Sequence, residues 1–564
     1  MEKLIGMFEG FFSGIGPFFL LLGLLIFIHE LGHYLVAVWC GVRVETFSLG
    51  FGKKLFSFKR GHTTFAVSLI PLGGYVKMFG DDPTKSVDDA QKKESFLDQP
   101  LPQKIAIVLA GPLMNLFFAI LIFAIVGKMG EPVPAAKLGD VSPSSAAATA
   151  GFQSGDEIVS VNGETVFDWK AFSTIVGKSA DQNLTVMVKR TNQETAAVQV
   201  TPKLGPNPAL FESERTIGLV DGLTIESAST MIAVVSKTSL ANSLGIESLD
   251  VIEKINGTPV LYFRDLENSF KTAAADLKPI RIELARPTGA KTTSTKVEVV
   301  IDSLTLVKNL ATAPSALGIL GLEKPDLYFY SIKPNSPADV AGLKPKDKIV
   351  KINGNPISEW ESVLNTIKGY KEGSGPLAIQ IARDNSTLDI NVVPEAVDIP
   401  SEKGPLERRF AIGIVPSIMR GEIATVVKKT DGVFDSLAYG VATSWQWTKF
   451  IGVSFLRLIQ NEVSLKNVGG IISIGRVASS SYDAGWYHFF RVMAIISINL
   501  FVLNLLPVPV LDGGHLVMFL AEAVKGAPLS FRKVEIAQQV GLFLLMSLMV
   551  FALFNDITNL FSAW

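Results

Sequence analysis

Four apolar stretches constrain this chain more than any other feature: residues ~17–40, ~103–127, ~487–506 and ~536–555. Each is long enough to cross a bilayer. A lone segment in lipid must satisfy its own backbone hydrogen bonds, so each is expected as a helix. They sit at the two ends of a 564-residue chain, too long for a single core. The first is too long and too polar at its centre for a cleaved signal peptide and reads as a retained anchor. Mean hydropathy is +0.35 and net charge −1, which fits a lipid bilayer as a partner and argues against nucleic acid. The single cysteine, Cys40, excludes an intrachain disulfide and a cysteine-based zinc site; it reads as a small buried hydrophobe. A fifth segment, ~433–459, carries Trp445, Trp447, Lys449 and Arg457 and suits a helix lying at the membrane interface.

Orientation follows from charge in the short loops. The N-terminal flank has Lys3 beside Glu2, whereas the loop 41–102 holds nine basic residues, among them Arg43, Lys53, Lys54, Lys59 and Arg60. That loop is expected in the cytosol, the N-terminus and the long segment ~131–420 outside. Lys525, Arg532 and Lys533, between the last two stretches, fit the cytosolic side again.

The segment ~131–420 repeats itself. "AGFQSGDEIVSVNGETV", "LGIESLDVIEKINGTPV" and "AGLKPKDKIVKINGNPI" align through Asn162, Asn256 and Asn353, with periods of 94 and 97 residues. A second echo, "IGLV", "LGIL" and "IGIV", aligns Gly218, Gly318 and Gly413. Each first-type repeat joins a glycine-ended turn, an acidic residue, alternating apolar positions and Asn-Gly, the strongest short signal for a tight hairpin. A helical pattern follows, as from Asp168. Periods this long describe whole small domains. These repeats resemble bacterial PDZ domains, closely in the first and third and less so in the middle one, where Leu-Gly replaces Ala-Gly.

The first apolar stretch contains "HELGH", residues 29–33. At 100° per residue His29 and His33 project from one helical face, one turn apart, and can hold one metal. Glu30 sits beside that face, placed to take a proton from metal-activated water and return one to a leaving amine. Ionisable groups at the centre of a bilayer each cost roughly 2.5–3.5 kcal/mol on insertion scales, so they are seldom kept without a function. A catalytic zinc wants a third ligand and an open position. "NLLPVPVLDGGH", 504–515, offers Asp512 and His515, and spacing does not choose between them. Pro507 and Pro509 force extended backbone just before.

"HELGH", "GPLMN" (111–115) and "NLLPVPVLDG" (504–513) together resemble the site-2 protease family of intramembrane zinc metalloproteases. With "GFGK" (50–53), "LIPLGGYVKM" (69–78) and the PDZ-like repeats, the resemblance is to the bacterial regulator-of-sigma-E protease group. It implies one Zn2+ per chain held by His29, His33 and Asp512, with Glu30 as catalytic acid and base. It also implies regulated intramembrane proteolysis of single-span membrane proteins, such as anti-sigma factors in a sigma-E stress response, and of signal peptide remnants, in the bacterial inner membrane. The PDZ domains would face the periplasm and the active site the cytosolic side. Three PDZ-like units depart from the two usual in that group, and the middle one reads as a spacer.

The fold class expected is thus four transmembrane helices plus membrane-re-entrant β-structure with tandem PDZ domains. The divisions are 1–130 (first membrane half), 131–215, 216–310 and 311–420 (PDZ-like units), 421–485 (interfacial helix and connector) and 486–564 (second membrane half). Residues 63–80, with Pro71, Gly73 and Gly74, cannot span as a helix; non-helical backbone at membrane depth must line protein or a cavity, and an exposed edge there would pair with an unwound substrate. Asn504, Pro507, Pro509, Asn115, Gly73 and Gly74 are the candidates for holding substrate or supporting the ligands. The rival reading is a membrane-anchored PDZ scaffold with a structural or inactive metal site, in which Glu30 would have no use.

Overall fold

The computed structural model describes residues 16–82, 87–142, 145–208, 214–287, 294–383, 386–401, 404–460, 469–527 and 529–562; the N-terminal flank used above for orientation lies outside them. Helix α1 (Gly16–Trp39) is uncharged until Glu30. It is followed by a long antiparallel hairpin, β1 (Val44–Arg60) and β2 (Thr63–Met78), pairing from Val44 opposite Met78 to Arg60 opposite Thr63 with several register shifts between. Phe51, Leu55, Phe56, Phe58, Val67, Leu69 and Ile70 stand exposed on it. The expected non-helical segment is therefore the return strand of this hairpin; β1 carries no clean alternation and was not legible as a strand. Cys40 is half-buried rather than buried. Helix α2 (Leu101–Met129) contains Pro112, which lacks the N–H for one rung of the helical ladder.

After α2 come strand β3 (Glu131–Pro134) and three sheet units of one design. The first has β4 (Glu157–Val161), β5 (Glu164–Thr165), helix α3 (Trp169–Lys178), β6 (Leu184–Lys189) and β7 (Thr195–Val200), then the hairpin β8 (Lys203–Pro206) and β9 (Thr216–Leu219). The second has β10 (Val251–Ile255), β11 (Thr258–Pro259), helix α4 (Phe263–Ala275), β12 (Ile280–Pro287) and β13 (Ser294–Ile301), then two helices, α5 (Leu304–Thr312) and α6 (Ala316–Leu320). The third opens with β14 (Phe329–Ile332) and continues with β15 (Lys348–Ile352), β16 (Asn355–Pro356), helix α7 (Trp360–Lys368), β17 (Leu377–Arg383) and β18 (Ser386–Val392). A hairpin, β19 (Glu395–Ser401) and β20 (Gly404–Ala411), then leads to β21 (Ile414–Pro416). Each unit centres on a four-stranded sheet in the order second–first–third–fourth strand.

Two devices recur in register. Asn162, Asn256 and Asn353 adopt φ of 49°, 50° and 50°, the left-handed conformation that a two-residue hairpin turn requires. Each side-chain oxygen accepts from a backbone N–H one strand away, of Thr185, Arg281 and Ala378, at 2.8, 2.8 and 3.0 Å. Asp156, Asp250 and Asp347 are each 1% exposed and hold Arg190, Arg286 and Arg383 at 2.6, 2.8 and 2.6 Å. The same guanidinium groups reach the carbonyls of Gly151, Gly245 and Gly342.

The second sequence echo does not survive. Gly218 lies within β9, Gly318 within α6 and Gly413 between β20 and β21. A short apolar word around glycine fits strand or helix, and its flanks decide. In the middle unit Ser315 caps the helix through the N–H of Gly318 at 3.0 Å, and Glu267 of α4 accepts from the N–H groups of Ala316 and Leu317.

Residues 414–428 run extended along all three units. β21 pairs with β14 of the third unit. Ser229 donates to the Met419 carbonyl and Gly421 to the Ser227 carbonyl of the second, both at 2.8 Å. Strand β22 (Thr425–Lys428) pairs with β3 beside the first.

The chain then enters helix α8 (Val433–Ile459), α9 (Ile471–Asp483), α10 (Trp486–Asn504), α11 (Asp512–Lys525) and α12 (Phe531–Ser562). Among the described residues four helices are long and apolar enough to cross a membrane: α1, α2, α10 and, over Arg532–Thr558, α12. α8 is not one of them; it lies against α2, its Gly440 on the backbone of Ile120 and Ala124. Phe18, Leu21 and Leu25 of α1 cluster with Phe489 and Met493 of α10, and Ala119, Phe123 and Val126 of α2 with Ala494 and Ile498 of α10. α1 and α10 thus start, and α2 ends, at the end of the bundle that carries the sheet units. Asp556 of α12 takes the N–H groups of Gly470, Ile472 and Ser473 at 2.9, 2.9 and 3.2 Å, fixing α9 to α12.

Candidate metal centre

His29 lies thirteen residues into α1, about 20 Å along the helix from the sheet-bearing end. His33 is one turn further. α2 supplies the neighbouring wall. A Cβ on Gly111 would occupy the space of the His33 ring, so only glycine lets the two helices close with that imidazole between them. Asp512 opens α11, directly after residues 505–511. There the two prolines prevent continuation of α10, but the backbone is not extended as expected: it turns, held by N–H donation from Val508 to Leu506 and from Leu511 to Val508, at 2.7 and 2.8 Å. Gly513 and Gly514 are buried against the carbonyls of 505–508, where a Cβ has no room. That close fit brings the first carboxylate of α11 back to α1.

The ligand atoms of His29, His33 and Asp512 all lie within 4.8 Å of one another. His29 Nε2 is 3.2 Å from His33 Nε2 and 3.3 Å from Asp512 Oδ2, and His33 Nε2 is 3.6 Å from Asp512 Oδ1. A tetrahedral zinc with bonds of about 2.0–2.1 Å places its ligands about 3.3–3.4 Å apart. Two imidazole nitrogens stand at that spacing, and the Asp512 carboxylate approaches each of them through a different oxygen, so the three side chains are close enough to share one zinc ion. His33 Nδ1 lies 2.8 Å from the Ile107 carbonyl; it donates there, which leaves Nε2 as the lone-pair nitrogen. His29 Nδ1 faces two amides, Asn115 Nδ2 at 3.2 Å and Asn504 Nδ2 at 3.5 Å.

Of the two candidates for third ligand, only Asp512 joins the histidines among the described residues. His515, half-buried, turns its ring towards Phe519, 6.5 Å between centroids. Glu30 is 9% exposed, and β2 covers it: a Cβ on Gly74 would sit 2.8 Å from Glu30 Cγ and 2.8 Å from Ile26 Cγ2. Gly73, at φ +143°, lies against the Phe51 ring. Pro509 touches α12 at Gly541, Pro507 is exposed and Asn504 half-buried. Sequence reasoning missed the Ile107 carbonyl and Ser497, whose hydroxyl donates to the Asn115 carbonyl at 2.8 Å. A backbone acceptor leaves no signal in sequence. Gly111 beside Pro112 was a visible but ambiguous one.

The model of the family described as "Peptidase family M50" matches residues 17–548. The chain belongs to that family. It is a zinc metalloendopeptidase of the site-2 type. Among similar proteins, regulator of sigma-E protease RseP of Escherichia coli (strain K12) is 30% identical over 98% of this chain and 99% of its own. Its counterpart in Salmonella typhimurium (strain 14028s) is 30% identical over 97% and 98%. A Vibrio cholerae protein with the provisional description zinc metalloprotease is 29% identical over 96% and 98%. A solved PDZ domain protein from Parabacteroides distasonis aligns at a TM-score of 0.14 and 10% identity over 50% of this chain and 95% of its own, too low to bear on the fold.

Proposed function

We propose that this M50 peptidase cleaves transmembrane segments of single-span membrane proteins inside the bacterial inner membrane. The observation that carries the reading is the set of three metal-ligating side chains, with donor atoms within 4.8 Å of one another, about 20 Å inside an apolar bundle. A soluble loop does not reach that depth, whereas a membrane-embedded segment does. His29, His33 and Asp512 would hold one zinc ion, which when bound supplies a Lewis acid that activates water and polarises the scissile carbonyl. Glu30 accepts the proton of the attacking water on its carboxylate and passes it to the departing amide nitrogen. The hairpin over Glu30 excludes bulk water.

A helical substrate hides its peptide bonds in its own hydrogen bonds, so it must unwind. The turn at Pro507 and Pro509, the amide of Asn504 and the edge of β2 at Gly73 and Gly74 are the surfaces that take an extended strand. The name regulator of sigma-E protease, carried by the relatives, fits anti-sigma factors as one substrate class; signal peptide remnants are a second that the family resemblance implies. In this reading β1 and β2 are membrane-re-entrant and α8 lies at the outer interface. The three sheet units are PDZ domains on the periplasmic side, screening what reaches the helices. Asp512 then lies towards the cytosolic side. In the middle unit α5 and α6 pack Val307, Leu310 and Leu320 against Leu266 and Phe270 of α4, where the outer units have a hairpin; in this reading it acts as a spacer.

The test is Glu30→Gln in native membranes with a model single-span substrate: zinc retained and cleavage lost is the expected result. Cleavage at the unsubstituted rate would overturn it.

A further inference from the structure

Around the metal centre one buried oxygen has no partner. Asn115 is fully buried, its backbone carbonyl is tied to Ser497 of α10, and its Nδ2 points at His29 Nδ1. Its Oδ1, equally buried, accepts from no group among the described residues. Leaving a buried acceptor unmade costs about 1–3 kcal/mol, so an orphan beside a ligand set asks for an explanation.

The chemistry of His29 supplies one. An imidazole that accepts an amide N–H at Nδ1 carries its proton on Nε2, which here faces the Asp512 carboxylate at 3.3 Å. An imidazole that ligates through Nε2 must carry its proton on Nδ1 instead, as a donor. A donor at Nδ1 cannot face the Nδ2 of Asn115 or of Asn504; it needs an oxygen. Rotation of the Asn115 carboxamide by half a turn brings the orphaned Oδ1 to Nδ1 and puts Nδ2 in the buried position Oδ1 leaves, so the new Nδ1–H···Oδ1 bond has to outweigh that exchange. No backbone moves, and Ser497 keeps its hold on the Asn115 carbonyl. Nδ1 has one proton to give and so satisfies one amide. Asn115, fully buried and tied to α10 through Ser497, takes it; Asn504, half-buried and more distant at 3.5 Å, is released.

We infer that Asn115 is the positioning residue of His29. Its carboxamide turns over when the metal binds, its oxygen fixes the ligating tautomer, and the Asn504 amide is thereby freed for substrate. This rests on the zinc reading above. The two amides divide into one that serves the ligand and one that serves the peptide.

The experiment measures zinc affinity by chelator competition on the full-length protein in detergent, for the unsubstituted chain and for Asn115→Leu, Asn115→Asp and Asn504→Leu. Second-sphere partners of ligating histidines are typically worth 10–100-fold in metal affinity. Asn115→Leu is expected to lose that much. Asn115→Asp keeps an oxygen at Nδ1 and should stay within about threefold of the unsubstituted chain. Asn504→Leu should leave zinc affinity unchanged while raising KM for substrate. A second readout is the His29 ring-nitrogen signal in labelled protein, which should report the Nδ1–H form with zinc and the Nε2–H form without it. Unchanged affinity in Asn115→Leu overturns the inference and leaves the zinc reading intact. Equal losses in the Leu and Asp variants also overturn it, since packing alone would then explain both. An unsubstituted chain that takes up no zinc overturns the zinc reading itself.

Discussion

The metal centre and the sheet units solve opposite assembly problems. The centre draws its donors from α1 and α11, almost 480 residues apart in the chain, and nothing local holds them together. It depends on helix contacts that tolerate no extra atom, at Gly111 over His33 and at Gly513 and Gly514 behind Asp512. Each sheet unit instead carries its own fastening, a buried aspartate and an arginine within 36 residues, used three times. A centre built from distant parts is lost with any one part. A repeated device fails one unit at a time.

That contrast can be broken experimentally. The largest effects should fall on the centre. His33→Ala or Asp512→Ala is expected to abolish both zinc retention and cleavage, read by metal analysis and by a membrane substrate assay; activity in either would mean the donors are not a unit. Glu30→Gln should keep the metal and slow cleavage by about 10²–10⁴-fold, the usual worth of a positioned acid–base group.

Next come the units. Asp347→Ala removes the buried carboxylate that holds Arg383 and should cost the third unit up to about 3–5 kcal/mol, seen as early urea unfolding and proteolysis of that unit, with zinc affinity of the chain unchanged. Asp156→Ala should do the same to the first unit alone. Loss of metal in either variant would join the two regions that the comparison separates.

The smallest effect belongs to the junction between them. Burial would push the Asp168 carboxyl up, but Lys428 at 2.9 Å and the Ala171 N–H outweigh it and hold it below the ordinary carboxylate value. A carboxyl held low in the folded chain stabilises above its unfolded value, about 3.9, and that contribution disappears as pH falls through the folded value. Hydrogen exchange at residues 425–428 should therefore quicken only below about pH 4. Lys428→Gln should cost at most about 1 kcal/mol and remove that acid dependence.

How much of this was legible depended on whether a feature is periodic or tertiary. The four apolar helices begin and end within a few residues of their expected limits, except α12, whose polar ends extend it on both sides. The Asn-Gly register was visible because the turn demands that residue pair. The echo at Gly218, Gly318 and Gly413 misled because capping by Ser315 and Glu267 is a matter of neighbours, not of the word itself. His29, His33 and Glu30 could be placed from helical spacing, while the choice of Asp512 over His515 needed either a family resemblance or coordinates. The acceptors at Ile107 and Ser497 needed coordinates alone.

The extended segment along the three units has a consequence for how the protein is made. Strand β3 finds its partner β22 only after nearly three hundred further residues have been added. At ordinary rates of translation that is a wait of about 15–60 s. Throughout it the first unit shows an unpaired strand edge, the kind of surface that invites wrong pairing. The last strand to arrive also leads straight into α8 and its seat on α2. Closing the edge and drawing the second half of the bundle towards the first are therefore one event, late in synthesis, and a nascent chain stalled before residue 425 would display its vacant edge to every passing strand.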